Sequence, residues 1–214
     1  SFMHDPAAGQ RTFGGSQPFY IWAATEPEKA AVFVSDALTQ DMVFVGSGSA
    51  DLFIQSTAAD ADIEVLLSEV RTDGNETYVQ AGWLRASQRA LDQDQTTALR
   101  PVQTHLEVDV APLPEGQFEL ARVEIFPFAH IFRAGSRIRI QIDTPGDSRE
   151  LWRFLLLEYE GPIMHTIAHS ALYPSSIALP LIPMSPVESL PPPCPSLRGQ
   201  PCRPFEEYTN TVGP

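Results

Sequence analysis

Chemistry in this chain would have to come from a few side-chain groupings. Gly46-Ser47-Gly48-Ser49-Ala50 is the nearest approach to a nucleophile elbow. That motif needs G-x-S-x-G at a sharp strand-to-helix turn, so that the serine stands exposed beside oxyanion-hole amides. Neither serine here has that register, and a strand follows, so the segment reads as a flexible inter-strand loop. His165 and His169 form H-x-x-x-H, but Met164–Leu172 reads as a strand and no Glu follows His165, so a metal site is not expected. Asp60, Asp62 and Asp73-Gly74-Asn75 lack the spacing of an EF-hand loop and read as turn caps. His105 and His130 are expected as surface or inter-strand hydrogen-bonding residues. The cysteines are Cys194 and Cys202, too poor in neighbouring ligands for zinc and far enough apart to close a loop. A disulfide is preferred over free thiols, and it would point to an exported protein. No catalytic residue, cofactor site or metal site is therefore expected.

The elements that would position such groups are nearly all strands. Asp62–Arg71 alternates, with Ile63, Val65 and Leu67 on one face and Glu64 and Ser68 on the other. Asp73-Gly74 supplies a turn, and Thr77–Ser87 returns as the second arm of a hairpin. Further candidate strands are Phe19–Ala23, Ala31–Ser35, Met42–Gly46, Ala50–Thr57, Val102–Val110, Gln117–Phe126, Ser136–Asp143, Leu151–Leu157, Met164–Tyr173 and Ser176–Leu181. Arg137–Asp143 is the clearest, with three isoleucines on a core face and polar residues on the other. A parity shift between Leu120 and Val123 predicts a β-bulge near Ala121-Arg122. Glu26–Ala31 is expected to form one helical turn at most. Many short strands between Gly- and Pro-containing turns indicate an all-β, two-sheet sandwich.

At 214 residues and 43% hydrophobic content, the chain fits a single β domain with one core. The expected division is a sandwich over 1–183, with an irregular N-terminal entry, and a Pro-rich tail over 184–214 that wraps the surface without joining a sheet. The net charge of −13 argues against a nucleic-acid partner, because phosphate binding needs clustered Lys and Arg, and Lys29 is the single lysine. No stretch approaches the length of a membrane span.

The hairpin's wording, "DADIEV" with Asp73-Gly74 and then Gly82-Trp83-Leu84-Arg85-Ala86-Ser87, carries a resemblance. So do Asp5-Pro6 with Gly14-Gly15, then Phe33, Ser35, Leu38, Asp41 and Gly46. Phe132–Ile140, Tyr173-Pro174-Ser175 and Leu179-Pro180 follow in order. Together they resemble the C-terminal β domain shared by X-Pro dipeptidyl-peptidases and CocE/NonD serine hydrolases, which include cocaine esterase, glutaryl acylases and α-amino-acid ester hydrolases. The resemblance implies a jelly roll of the galactose-binding-like type. It also implies an upstream α/β-hydrolase domain carrying the Ser-Asp-His triad, so that this chain alone is inactive. An apolar face against that missing domain is expected, with Phe13, Phe19, Tyr20, Trp22, Phe126, Phe128 and Phe132 as candidates and self-association as a possible outcome. The alternative is a carbohydrate-binding module, for which Trp22, Trp83 and Trp152 would be the platform.

Overall fold

A computed structural model of the chain describes residues 1–3, 22, 24–145, 155–183, 190–194 and 201–210. It is an all-β sandwich of two antiparallel sheets. Chain order runs β1 (Phe2–Met3), β2 (Ala31–Val34), β3 (Met42–Ser56), β4 (Asp62–Val70), β5 (Asn75–Arg85), β6 (Glu119–Phe132), β7 (Arg137–Asp143), β8 (Met164–Ile167), β9 (Ser176–Ala178), β10 (Leu181–Ile182) and β11 (Cys202–Pro204). The six-stranded sheet is organised around the 15-residue β3, which pairs with β6 and with β8, β9 and β10; β1 pairs with β8. The other sheet has the order β11-β5-β4-β7-β2.

Period-two alternation builds the core. Ala50, Leu52 and Ile54 of β3 and Ala121, Val123 and Ile125 of β6 face Ile63, Val65 and Leu67 of β4 and Ile140 and Ile142 of β7, all buried. Each such Leu or Ile contributes about 1.5–3 kcal/mol through removal of apolar surface from water.

Several sequence expectations are corrected. Gly46–Ala50 is not a loop: β3 runs unbroken through it. The bulge is not at Ala121-Arg122, which pair in register with Leu52 and Asp51; the shift falls where Gly46 faces Phe128 and Gly48 faces Ile125. Ser47 therefore opposes both Phe126 and Pro127, and proline, which has no N–H for a ladder, is tolerated at such a site. Leu120 broke the parity only because it points outward, at 41% exposure. Val102–Val110 is not a strand. Gln103 makes an isolated bridge to Leu91, and Glu107–Asp109 is a 3-10 turn closed by Asp109 N to Leu106 O at 3.0 Å. Its alternating pattern found no sheet edge, and alternation without a ladder partner does not hold a strand. Phe19–Ala23, apart from Trp22, and Leu151–Phe154 lie outside the described residues.

The tail, contrary to expectation, joins the five-stranded sheet. Cys202, Arg203 and Pro204 pair with Thr77, Glu76 and Asn75 of β5. Arg203 draws this segment in: its Nε donates to Glu76 Oε2 at 2.9 Å, and its guanidinium lies 4.0 Å over the Trp22 ring. Glu76, fully buried, also accepts from Arg139 Nη1 at 3.0 Å and from the Ser68 hydroxyl at 2.6 Å. Gln141 continues the row, accepting from Arg139 Nη1 and Thr25 and donating to Asp143 Oδ2. The polar face of β7 is thus buried beneath residues from both ends of the chain, and its charges persist there because each has partners.

Candidate functional site

The serines that most resembled a nucleophile are held by carboxylates. Ser47 Oγ donates to Glu124 Oε1 at 2.8 Å, and Ser49 Oγ donates to Asp51, which Arg122 also engages. A Ser–His contact does exist: His165 Nδ1 lies 3.0 Å from Ser56 Oγ. Ser56 Oγ also accepts the Ala58 N–H, Ser56 and His165 are both buried, and the His165 ring packs on Phe2. A buried pair of this kind is structural.

His165 and His169 do not form a site. The first lies inside β8, and the second sits in an isolated bridge with Pro174, its ring 6.1 Å from that of Phe33. Among the described residues, no group of three or more His, Cys, Asp or Glu side chains could hold a metal ion. The aspartates shape the hairpin. Asp73 accepts the Asn75 N–H beside Gly74, which has φ of 83°. Asp60 Oδ1 accepts the Ala61 and Ser87 N–H groups. His130 Nε2 lies 2.8 Å from Glu69 Oε2 across the two sheets. Burial pushes the Glu69 carboxyl up, but bonds to His130 and Ser136, the His130 charge and the Arg133 N–H outweigh it and hold it below the usual carboxylate range.

A cleft open to solvent lies around Trp83 and Phe126. Gly82 makes it possible. A Cβ at Gly82 would stand 1.7 Å from the Glu124 carbonyl oxygen, so only glycine lets β5 of one sheet touch the backbone of β6 in the other. Trp83, the next residue of β5, and Phe126, two residues beyond Glu124 on β6, then meet with ring centroids 5.3 Å apart and tilted by 56°. The cleft measures about 460 Å³, and its wall includes Asp62, Arg85, Gln88, Gln103 and His105. Arg85 is clamped by Asp62, with Nε–Oδ1 of 2.8 Å and Nη2–Oδ2 of 3.1 Å, and also donates to the Leu155 carbonyl. The Asp62 bond raises the Arg85 pKa, partial burial opposing it. Tyr159, which donates to Asp60 O, has its phenol pKa pushed up by burial and then by the Asp62 and Asp60 charges.

The residues expected to form an interdomain face divide. Phe126 is 42% exposed beside Trp83, and Phe128 is partly buried against the core. Phe132 is wholly buried, its ring packed edge-on to Phe44 at 5.4 Å, because it ends β6 on the inward parity. Trp22 is buried under Arg203. Phe13, Phe19 and Tyr20, and the platform candidate Trp152, lie outside the described residues. Leu99, Leu106, Val108, Val110 and Leu120 are also exposed, Val108 by 86%. Sequence reasoning missed Leu106, Val108 and Val110 because it placed 102–110 in a sheet. The pair of acids flanking Val108 was the available signal, since Glu107 and Asp109 seldom flank a buried position without partners.

The arrangement is an all-β sandwich with an aromatic contact, Trp83 on Phe126, beside a cleft of polar and apolar residues. Residues 3–176 match the sequence profile of the X-Pro dipeptidyl-peptidase C-terminal non-catalytic domain, and the chain belongs to that family. It is 29% identical over 170 residues to proteins named "Putative serine esterase" in Mycobacterium bovis and Mycobacterium tuberculosis, covering 78% of this chain and 26% of theirs. Among solved structures, a CocE/NonD family hydrolase from Staphylococcus aureus superposes with a TM-score of 0.61 at 20% identity, over 73% of this chain and 31% of that one. An α-amino acid ester hydrolase gives 0.55 at 18% identity, over 72% and 26% respectively. An aminopeptidase from a marine sediment Thaumarchaeota archaeon gives 0.57 at 17%, over 85% and 32%. The chain thus spans 26% of the length of the curated relatives it matches.

Proposed function

We propose that this chain is the non-catalytic accessory domain of an α/β-hydrolase-type serine hydrolase of the esterase, acylase or X-Pro dipeptidyl-peptidase class. It packs on the hydrolase domain and helps wall the active-site cleft. The observation that carries this reading is the exposed Phe126 ring packed against the half-buried Trp83, a pair set by Gly82 in a chain of a non-catalytic family. Exposed aromatic and aliphatic side chains grouped beside a polar rim mark surfaces that meet a protein partner. Acyl transfer through a serine ester would be performed entirely by the partner domain. The sandwich over 1–183 is the docking body, and the 184–214 tail is its strap.

The test is association of this chain with the separately produced hydrolase domain of the same protein. Phe126→Lys should weaken it at least tenfold, about 1.4 kcal/mol. This chain by itself should hydrolyse neither a p-nitrophenyl ester nor an X-Pro p-nitroanilide above background. Equal affinity of wild type and variant would reject the face, and stoichiometric labelling of the lone chain by a fluorophosphonate would reject the non-catalytic reading. A second reading, binding of a neutral sugar ring on Trp83 and Phe126 with Gln88 and His105 at the rim, is favoured by the polar wall of the cleft. Calorimetry against a panel of neutral oligosaccharides separates it from docking.

A further inference from the structure

The tail does more than pack. Beyond the pairing of β11 with β5 at one edge of the five-stranded sheet, its side chains reach the opposite edge, β2. Odd-numbered residues of β2 bond toward β7, as Ser35 N to Ile138 O continues to do just beyond it, so the even-numbered residues present their N–H and C=O outward. The Tyr208 hydroxyl accepts the Ala30 N–H at 3.3 Å and donates to the Ala30 carbonyl at 3.0 Å. Two residues on, the Asn210 carboxamide takes the Val32 N–H at 2.7 Å and donates to the Val32 carbonyl at 2.6 Å. The distances agree with a nearly straight crossing. Four strand spacings at ~4.8 Å come to about 19 Å, and the six steps from Pro204 to Asn210 span about 20 Å when extended at ~3.3 Å each.

Beneath that cover, the short strand itself, Ala31-Val32-Phe33-Val34, carries neither a charge nor a proline to guard its edge. Phe33 and Val34 are 39% and 42% exposed. An uncharged apolar edge strand is a template for another strand. It is also self-complementary. Antiparallel pairing of β2 with β2 of a second copy, Val32 opposite Val32, sets Ala30 opposite Val34 and Val34 opposite Ala30. Every outward-facing residue then meets an outward-facing residue, and a backbone ladder replaces the side-chain caps.

We propose that the edge of β2 is a self-association surface for a second copy of this chain, and that Tyr208 and Asn210 keep it closed. Opening it joins two five-stranded sheets through a two-fold axis. Neither the family match, which ends at residue 176, nor the docking face at Trp83 and Phe126 includes this strap.

The full-length Tyr208→Phe/Asn210→Ala chain tests it by light scattering across a concentration series at moderate ionic strength, where the −13 charge is screened. The expected result is a doubling of molar mass at concentrations where the wild type is monomeric. Slowed amide exchange at Val34 should accompany it. Adding Val34→Lys to the same chain should restore the monomer, whereas adding Phe126→Lys should not. If the double variant loses its native near-ultraviolet spectrum, Asn210→Ala alone, which keeps both Tyr208 bonds, takes its place with the same expectations. A folded variant that stays monomeric at millimolar concentration overturns the proposal, as does association that Val34→Lys leaves intact. Association abolished by Phe126→Lys would also overturn it, by tracing the contact to the docking face.

Discussion

Two residues show how single side chains fix the geometry. Gly82 is required because a backbone oxygen of the other sheet occupies the space of its Cβ. Backbone cannot swing aside as a flexible side chain can. Gly82→Ala should therefore destabilise the domain by about 3 kcal/mol, the upper end for overpacking, and should separate Trp83 from Phe126. Chemical denaturation with Trp fluorescence checks both; an unchanged midpoint would remove the sheet-contact account. Glu69 is the second. Its carboxyl is held below the ordinary value of 4.5 in the folded state, so the folded state favours its ionised form. The resulting stabilisation is present above the unfolded pKa and lost as pH falls through the lower, folded value. Acid should therefore loosen the domain from the ordinary carboxylate range downward. Glu69→Gln, which cannot ionise, should flatten that part of the stability–pH curve, measured as the denaturant midpoint between neutral pH and about pH 3. A variant curve parallel to wild type would show that other carboxylates carry the dependence.

Among the elements, the tail held the largest difference between expectation and fold. Its prolines were visible in the sequence and suggested a surface wrap; what was not visible was Glu76, far away in sequence, waiting for Arg203. The alternation of β7 was legible, and its three isoleucines sit where parity puts them. The burial of Arg139 and Gln141 was not, since their cover comes from Thr25 and from Arg203. Long-range polar pairing leaves no local periodicity to read. The same limit applies to 102–110, where alternation was present and a neighbouring strand was absent. Cys194 and Cys202 are joined, and the chain just before them is gripped by Arg133 Nη2 on the Leu190 carbonyl and Arg71 Nη1 on the Pro192 carbonyl, both at 2.8 Å. A link separated by eight residues contributes about 2.5 kcal/mol on a chain-entropy estimate. Reduction should then speed amide exchange in 190–210 while β3 to β7 keep their protection. Global unfolding on reduction, read by the same exchange experiment, would mean that the tail is part of the folding core.

For the molecule as a whole, the class was legible and the proposed docking face was only half so. The hairpin and its landmarks sufficed for the family, because they are local strings of residues. The face was not a local string. Phe126 was found from aromatic richness, but Phe132, in the same run, points inward, and Trp83 joins Phe126 only through contact between the sheets. Such a face is assembled by tertiary structure, and a predicted list of aromatic residues cannot separate its members from the core. The −13 charge, spread over the surface, gives the domain a self-repelling exterior that an apolar contact with a partner must overcome.

The two ends of the described chain are fastened to different sheets. Phe2 and Met3 pair with His165 and Met164 in one, while Arg203 and Asn210 hold the other. Tension between an upstream domain and the C-terminus would therefore travel through the sandwich in series, from β1 across the core to the strap. The weakest link in that path is β1, two residues long, so stretching would peel the N-terminal attachment before it disturbed the sheet that carries the disulfide. Under load, the domain would give way first where Phe2 and Met3 pair with β8.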